Sequence, residues 1–300
     1  MSAFSASRQR LSDWPLWIIA IAFALAISMT AIGTGLVGVI FALAGGHVAA
    51  NSPGINIAST VVLDSAMVAA ALLAARMIDG RVRLQGFGFR PLAVSRKRAV
   101  LLGIGTWTAF LIFTLGWTKI VGDPGKQSIV KSFGAHESSV LWVLTLLMVT
   151  LLAPLCEEFM FRGLVFAALW RHVHLGVAAV ITGLFFGALH LGGSPVLLTL
   201  PLAVLGALLC LLRAATGSLV PCLAVHALNN SVAYSVSEKV GGGYTLLIAA
   251  GSVATVVTIA TALTRHAYTQ ENDDSENRPH QDSSGSGDAG HRVSGGTETG

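Results

Sequence analysis

Residues 139–170 read SVLWVLTLLMVTLLAPLCEEFMFRGLVFAALW, a run in which only Glu157, Glu158 and Arg162 are charged. About 20 apolar residues cross the roughly 30 Å hydrocarbon core of a bilayer, so a run of this length is a membrane-spanning helix before it is anything else. Working outward, apolar runs recur along the chain at roughly 15–44, 57–76, 99–118, 175–191, 196–212, 219–236 and 244–263, with 139–170 fourth in order. These eight runs predict an all-α fold, a polytopic transmembrane helix bundle of about eight spans. The first run follows Arg8 and Arg10 and is about twice too long for a cleaved leader, so it reads as a retained span.

Composition agrees with this reading. Of 300 residues, 53% are hydrophobic and 11% charged, where an ordinary soluble chain carries about a quarter charged residues. The net charge of +4 is a mixture of two materials. From Glu271 onward there are seven acidic residues and two basic ones, and setting these aside leaves 17 basic and 8 acidic residues in a body of +9. Those basic residues lie in loops between spans, which argues against nucleic acid as a partner and sets orientation instead. With the N-terminus cytoplasmic, fourteen Lys and Arg fall inside, among them Arg76, Arg81, Arg83, Arg90, Arg96, Lys97 and Arg98. Only Lys119, Lys126, Lys131 and Lys239 fall outside. Both termini are therefore expected in the cytoplasm. The domain reading is a membrane-embedded body over 1–265 and, over 266–300, a polar tail too poor in apolar side chains to fold.

Ionisable groups at membrane depth cost roughly 2.5–3.5 kcal/mol each on insertion scales, so each needs a partner or a task. Glu157, Glu158, Arg162, His190 and His226 are such groups, joined by Asn230 one turn beyond His226. Counting a rise of 1.5 Å per residue from the cytoplasmic ends puts Glu157, His190, His226 and Asn230 about 21, 24, 13 and 20 Å deep, one band on three helices. Glu158 and Arg162, four apart, share a face and are expected to form a structural ion pair. Adjacent residues diverge by about 100°, so Glu157 is expected to face a different neighbour from Glu158 and to be left for chemistry. Pro154 should kink the helix or free a backbone carbonyl beside Glu157. Gly183 and Gly187 form a small-xxx-small face that admits a second helix. Cys156, Cys210 and Cys222 read as buried small hydrophobes, with no metal or disulfide spacing.

The chemistry that these residue types support is water activation and acyl hydrolysis. A buried carboxylate can serve as general base beside a histidine, and a second histidine with an asparagine can donate to a developing oxyanion. There is no G-x-S-x-G to supply a serine nucleophile.

E-E-x-x-x-R at Glu157 to Arg162, F-x-x-x-H at Phe186 to His190 and H-x-x-x-N at His226 to Asn230, in that order, resemble the CPBP family of intramembrane proteases, the ABI or type II CAAX prenyl endopeptidase-like family. The resemblance covers about 157–230. It implies that Glu157 and His190 bind and activate water, that His226 and Asn230 stabilise the oxyanion, and that Glu158 and Arg162 are the structural ion pair. It implies an intramembrane endopeptidase acting on a membrane-associated protein or lipidated, possibly prenylated, peptide, with the lipid bilayer as the other partner. The expected location is the bacterial plasma membrane. No cofactor is expected; zinc held by Glu157, His190 and His226 is the alternative, without the H-E-x-x-H spacing that would favour it. Two other readings stay open. One is an ion-coupled transporter whose relay would use Asp64 in the second span, a residue more simply expected to pair with a backbone or hydroxyl group. The other is a non-cleaving membrane scaffold or bacteriocin-immunity protein.

Overall fold

A computed structural model describes residues 12–45, 52–122, 129–191 and 195–276. Eight main helices follow one another: α1 Trp17–Leu43, α2 Pro53–Asp79, α3 Arg96–Val121, α4 Ser139–His172, α5 Leu175–Leu189, α6 Val196–Thr216, α7 Val220–Ser237 and α8 Gly242–Glu276, with a single extra turn at Ile129–Ser132. The eight apolar runs thus become an all-helical bundle. Six of the helices are long and apolar enough to cross a membrane. The apolar α5 is shorter, and α7, 18 residues long, is diluted by His226, Asn229 and Asn230.

Helix ends follow local chemistry. Ser95 accepts from the Arg98 N–H and starts α3, while Gly80 and Gly217 close α2 and α6 in the left-handed conformation that spares glycine a steric cost. Helices α1 and α2 pack together, as do α5 with α6 and α7 with α8. The α5–α6 contact is the closest. A Cβ on Gly183 would lie 2.4 Å from the Ala203 carbonyl oxygen, and one on Gly187 2.7 Å from that of Thr199. The falling partner numbers show that the two helices run antiparallel. The small-xxx-small face is used as its spacing suggested, with α6 as the partner.

The main core gathers around α4. Met160, Phe161, Leu164 and Val165 are fully enclosed, and the loop after α2 drives Phe87 against Phe159, the rings stacked 4.3 Å apart at 18°. Gly88 in that loop has φ +99°, and a Cβ there would collide with the Arg213 guanidinium. The same loop is tied to the α6–α7 junction by Ala93 N–H to the Thr216 carbonyl and Leu219 N–H to the Gly88 carbonyl. Cys156, Cys210 and Cys222 are all free and buried, as hydrophobes would be.

Two expectations shift at helix ends. The span drawn as 175–191 stops at Leu189, with His190 as its C-cap at φ −87°, ψ −2°, and Pro195 follows shortly after in the sequence. At the other end, α8 continues to Glu276, past the expected boundary at 265. Ala267 is buried there and its carbonyl accepts from Gln85 Nε2, so the packed body extends beyond 265. The rest of the tail, with Arg278 and Arg292, lies outside the described residues, as do Arg8, Arg10 and Lys126.

Candidate active site

Helix α4 is not a uniform α-helix. Over Met148–Leu152 and again over Phe159–Val165 it widens to π-helical turns, in which the N–H reaches back five residues: Ala153 to Met148, and Phe166 to Phe161. Glu157 and Glu158 stand on the short α-helical piece between, Ala153–Glu158. Such insertions are rare and concentrate at functional sites. In the first of them, the carbonyl that Pro154 would have bonded in this register is that of Val149. Proline has no N–H, and Asn230 Nδ2 donates to the Val149 carbonyl instead, at 2.9 Å. The carbonyl freed by Pro154 and the asparagine one turn past His226 are two halves of one contact.

Glu158 and Arg162 form the expected ion pair, Oε1 to Nη1 at 2.7 Å, both side chains wholly enclosed. His226 adds a third member: its Nδ1 lies 2.8 Å from the same Glu158 oxygen. Its Nε2 lies 3.7 Å from Oε2 of Glu157. Here the sequence-based expectation is corrected, because Glu157 and Glu158 do face a common neighbour. A histidine ring carries a nitrogen on each of two edges, so a ring wedged between diverging carboxylates meets both. The ring is thereby fixed with Nδ1 on the Glu158 oxygen that also meets Arg162, and with Nε2 toward Glu157.

Phe186 is the hub that sequence analysis treated only as a motif letter. Its ring is 5.0 Å from the His190 ring and 5.7 Å from the His226 ring, with Phe161 edge-on at 5.3 Å. The Arg162 guanidinium lies over its face at 4.5 Å, a cation–π contact. Two histidines from different helices are thereby brought against one ring. His190 itself lies 2.9 Å through Nδ1 from the Phe186 carbonyl; a carbonyl can only accept, so Nδ1–H donates and the Nε2 lone pair is left for another group.

Glu157 differs from its neighbour. Its side chain is 16% exposed where that of Glu158 is enclosed, and it has no counterpart to the Arg162 ion pair of Glu158, although each carboxylate leaves its Oε2 without a hydrogen-bond partner among the described residues. Asp64 of α2 is 3% exposed, its Oδ2 is likewise unpartnered, and it lies within electrostatic reach of Glu157. The expectation that Asp64 is simply paired with a backbone or hydroxyl group is therefore corrected: it faces the Glu157 side of the cluster. Nothing in local sequence marked this, because Asp64 and Glu157 are 93 residues apart and meet only through the packing of α2 on α4.

Among the described residues, no three His, Cys, Asp or Glu side chains gather as a metal site would require, Glu157, His190 and His226 included. One nitrogen of each histidine is already committed, to Phe186 or to Glu158.

Residues 139–232 match the model of a known family, type II CAAX prenyl endopeptidase Rce1-like. Over these residues the match supports the CPBP family. No curated protein and no solved structure matches the chain. The Rce1-like match spans α4, α5, α6 and most of α7, the helices that hold Glu157, Glu158, Arg162, His190, His226 and Asn230. It leaves out α1–α3 and α8, and with them Asp64. The protein is thus a multi-pass membrane protein with a CAAX-protease-type domain, for which the bilayer is a partner.

Proposed function

We propose that the protein is an intramembrane endopeptidase that hydrolyses a peptide bond of a membrane-associated, lipidated substrate with water activated by Glu157. The observation that carries this is the contrast in pairing. Glu158 is enclosed and held through Oε1 by both Arg162 and His226, whereas Glu157 is partly exposed, ion-paired to no guanidinium, and meets only the far nitrogen of His226 at 3.7 Å.

In this reading Glu157 takes a proton from water as the oxygen attacks the scissile carbonyl carbon. His190, its Nε2 free, holds that water. The electron pair of the C=O bond moves to the carbonyl oxygen, where His226 Nε2–H and the second Nδ2 hydrogen of Asn230 receive it. The C–N bond then breaks and Glu157 returns the proton to the leaving nitrogen. No metal is used in this reading, and the three zinc candidates do not converge on one point.

The experiment is purified full-length protein with prenylated and unprenylated peptides, with and without chelator, read by mass spectrometry. Glu157→Gln keeps the shape and removes the base, and should lower cleavage by at least about 10³-fold without loss of fold. Undiminished cleavage by a folded Glu157→Gln protein would overturn the proposal, and chelator-sensitive cleavage would restore zinc. The Asp64–Glu157 pair is the single observation favouring an ion relay instead. Proton flux into proteoliposomes, lost in both Asp64→Asn and Glu157→Gln, would support that second reading.

A further inference from the structure

A groove of about 1170 Å³ runs between α3, α7 and α8, away from the glutamate–histidine cluster. Its walls are apolar: Val100 and Ile104 from α3, Ala224 and Leu228 from α7, Val253 and Val257 from α8. Its mouth is basic. Arg90, Arg96 and Arg265 all line it, from three separate segments, and Arg96 and Arg265 are exposed. Lys97 and Arg98 follow Arg96 directly.

Length identifies the scale of the occupant. The lining on α3 runs from Arg96 to Thr108 and that on α8 from Val253 to Arg265, each about 18 Å at 1.5 Å per residue. The hydrocarbon of one leaflet is about 15 Å deep, half of the core. The groove therefore begins at a cationic rim and ends near the bilayer midplane, the dimensions and polarity of one leaflet's lipid.

Position on α7 separates this groove from the proposed active site. At 100° per residue, Pro221, Ala224, Val225 and Leu228 face one direction, and His226 and Asn230 face about 170° away. An occupant of the groove is separated from Glu157 and His226 by the body of a helix about 10–12 Å across. It is not the peptide bond undergoing hydrolysis.

We infer that this groove is a binding site for an anionic glycerophospholipid, its phosphodiester held by Arg96, Arg265 and Arg90 and one acyl chain lying along Val100, Ile104 and Leu228. Three guanidiniums at one rim match a phosphate anion, which a zwitterionic lipid offers only beside its own cation. The inference does not depend on proteolysis.

The test is native mass spectrometry of the delipidated full-length protein, titrated with dioleoyl phosphatidylglycerol or dioleoyl phosphatidylcholine. The phosphatidylglycerol should bind at least about tenfold more tightly, and Arg96→Gln with Arg265→Gln should abolish that preference. Val100→Trp, an outward-facing change that fills the groove and leaves the charges in place, should weaken phosphatidylglycerol at least about fivefold. Equal binding of the two lipids, or a preference unaffected by the arginine changes, would overturn the inference. So would glycerol phosphate competing as well as the whole lipid, which would mean that the apolar walls contribute nothing. A prenylated peptide displacing phosphatidylglycerol one for one would make the groove a substrate site instead.

Discussion

One turn of α4 holds two carboxylates with opposite fates. Glu158 is enclosed, ion-paired to Arg162 and hydrogen-bonded to His226. Glu157, its neighbour, is partly open, lacks a partner on Oε2 and lies within electrostatic reach of a second under-paired carboxylate, Asp64. A charge buried without compensation is costly, and the Glu158 side shows that this fold can set both a guanidinium and an imidazole against one carboxylate oxygen. The under-pairing of Glu157 therefore has to be sought in what it does rather than in what it supports. The Glu158 side has the form of a framework that orients His226, and the Glu157 side that of the reacting edge.

The sharpest way to break this contrast is to remove the countercharge on the paired side. Arg162→Met leaves Glu158 buried beside a histidine without its guanidinium, and breaking such a pair costs about 3–5 kcal/mol. Unfolding of the detergent-solubilised protein should show this loss, with much of it recovered when Glu158→Gln is added. A stability within about 1 kcal/mol of wild type for Arg162→Met would mean that the pair is not the framework.

The next effect concerns the clasp between α4 and α7. Asn230→Ala removes the donor to the Val149 carbonyl. An unsatisfied buried carbonyl costs about 1–3 kcal/mol, and loss of an oxyanion donor lowers kcat by about 10²–10³-fold. Both losses are expected, kcat falling with KM little changed. A loss of stability with full kcat in the protein that remains folded would reduce Asn230 to a clasp.

The bundle, the helix order, the motif residues and the Gly183–Gly187 face were legible because each depends on local pattern: apolar runs, helical spacing, small residues one turn apart. Three features were not. The π turns depend on a register that apolar content does not specify, although Pro154 marked the place where the ladder had to fail. The sharing of His226 by Glu157 and Glu158 could not be read from angles on one helix, because it is decided by where a ring from α7 enters. Asp64 carried no motif, and only the packing of α2 on α4 places it by Glu157.

Asp64 supplies the smallest and most discriminating effect. Asp64→Asn keeps the volume and replaces the under-paired buried carboxyl beside Glu157 with an amide, so stability should change by less than about 1 kcal/mol, or rise, since an unpaired buried carboxyl is a cost. The maximum rate should change by less than about tenfold, because Asp64 touches neither water nor substrate in this reading. A purely structural Asp64 would leave kcat/KM unchanged while altering stability. Complete loss of cleavage with normal folding would instead place Asp64 among the reacting groups, and the boundary between framework and reacting edge would then extend from α4 into α2.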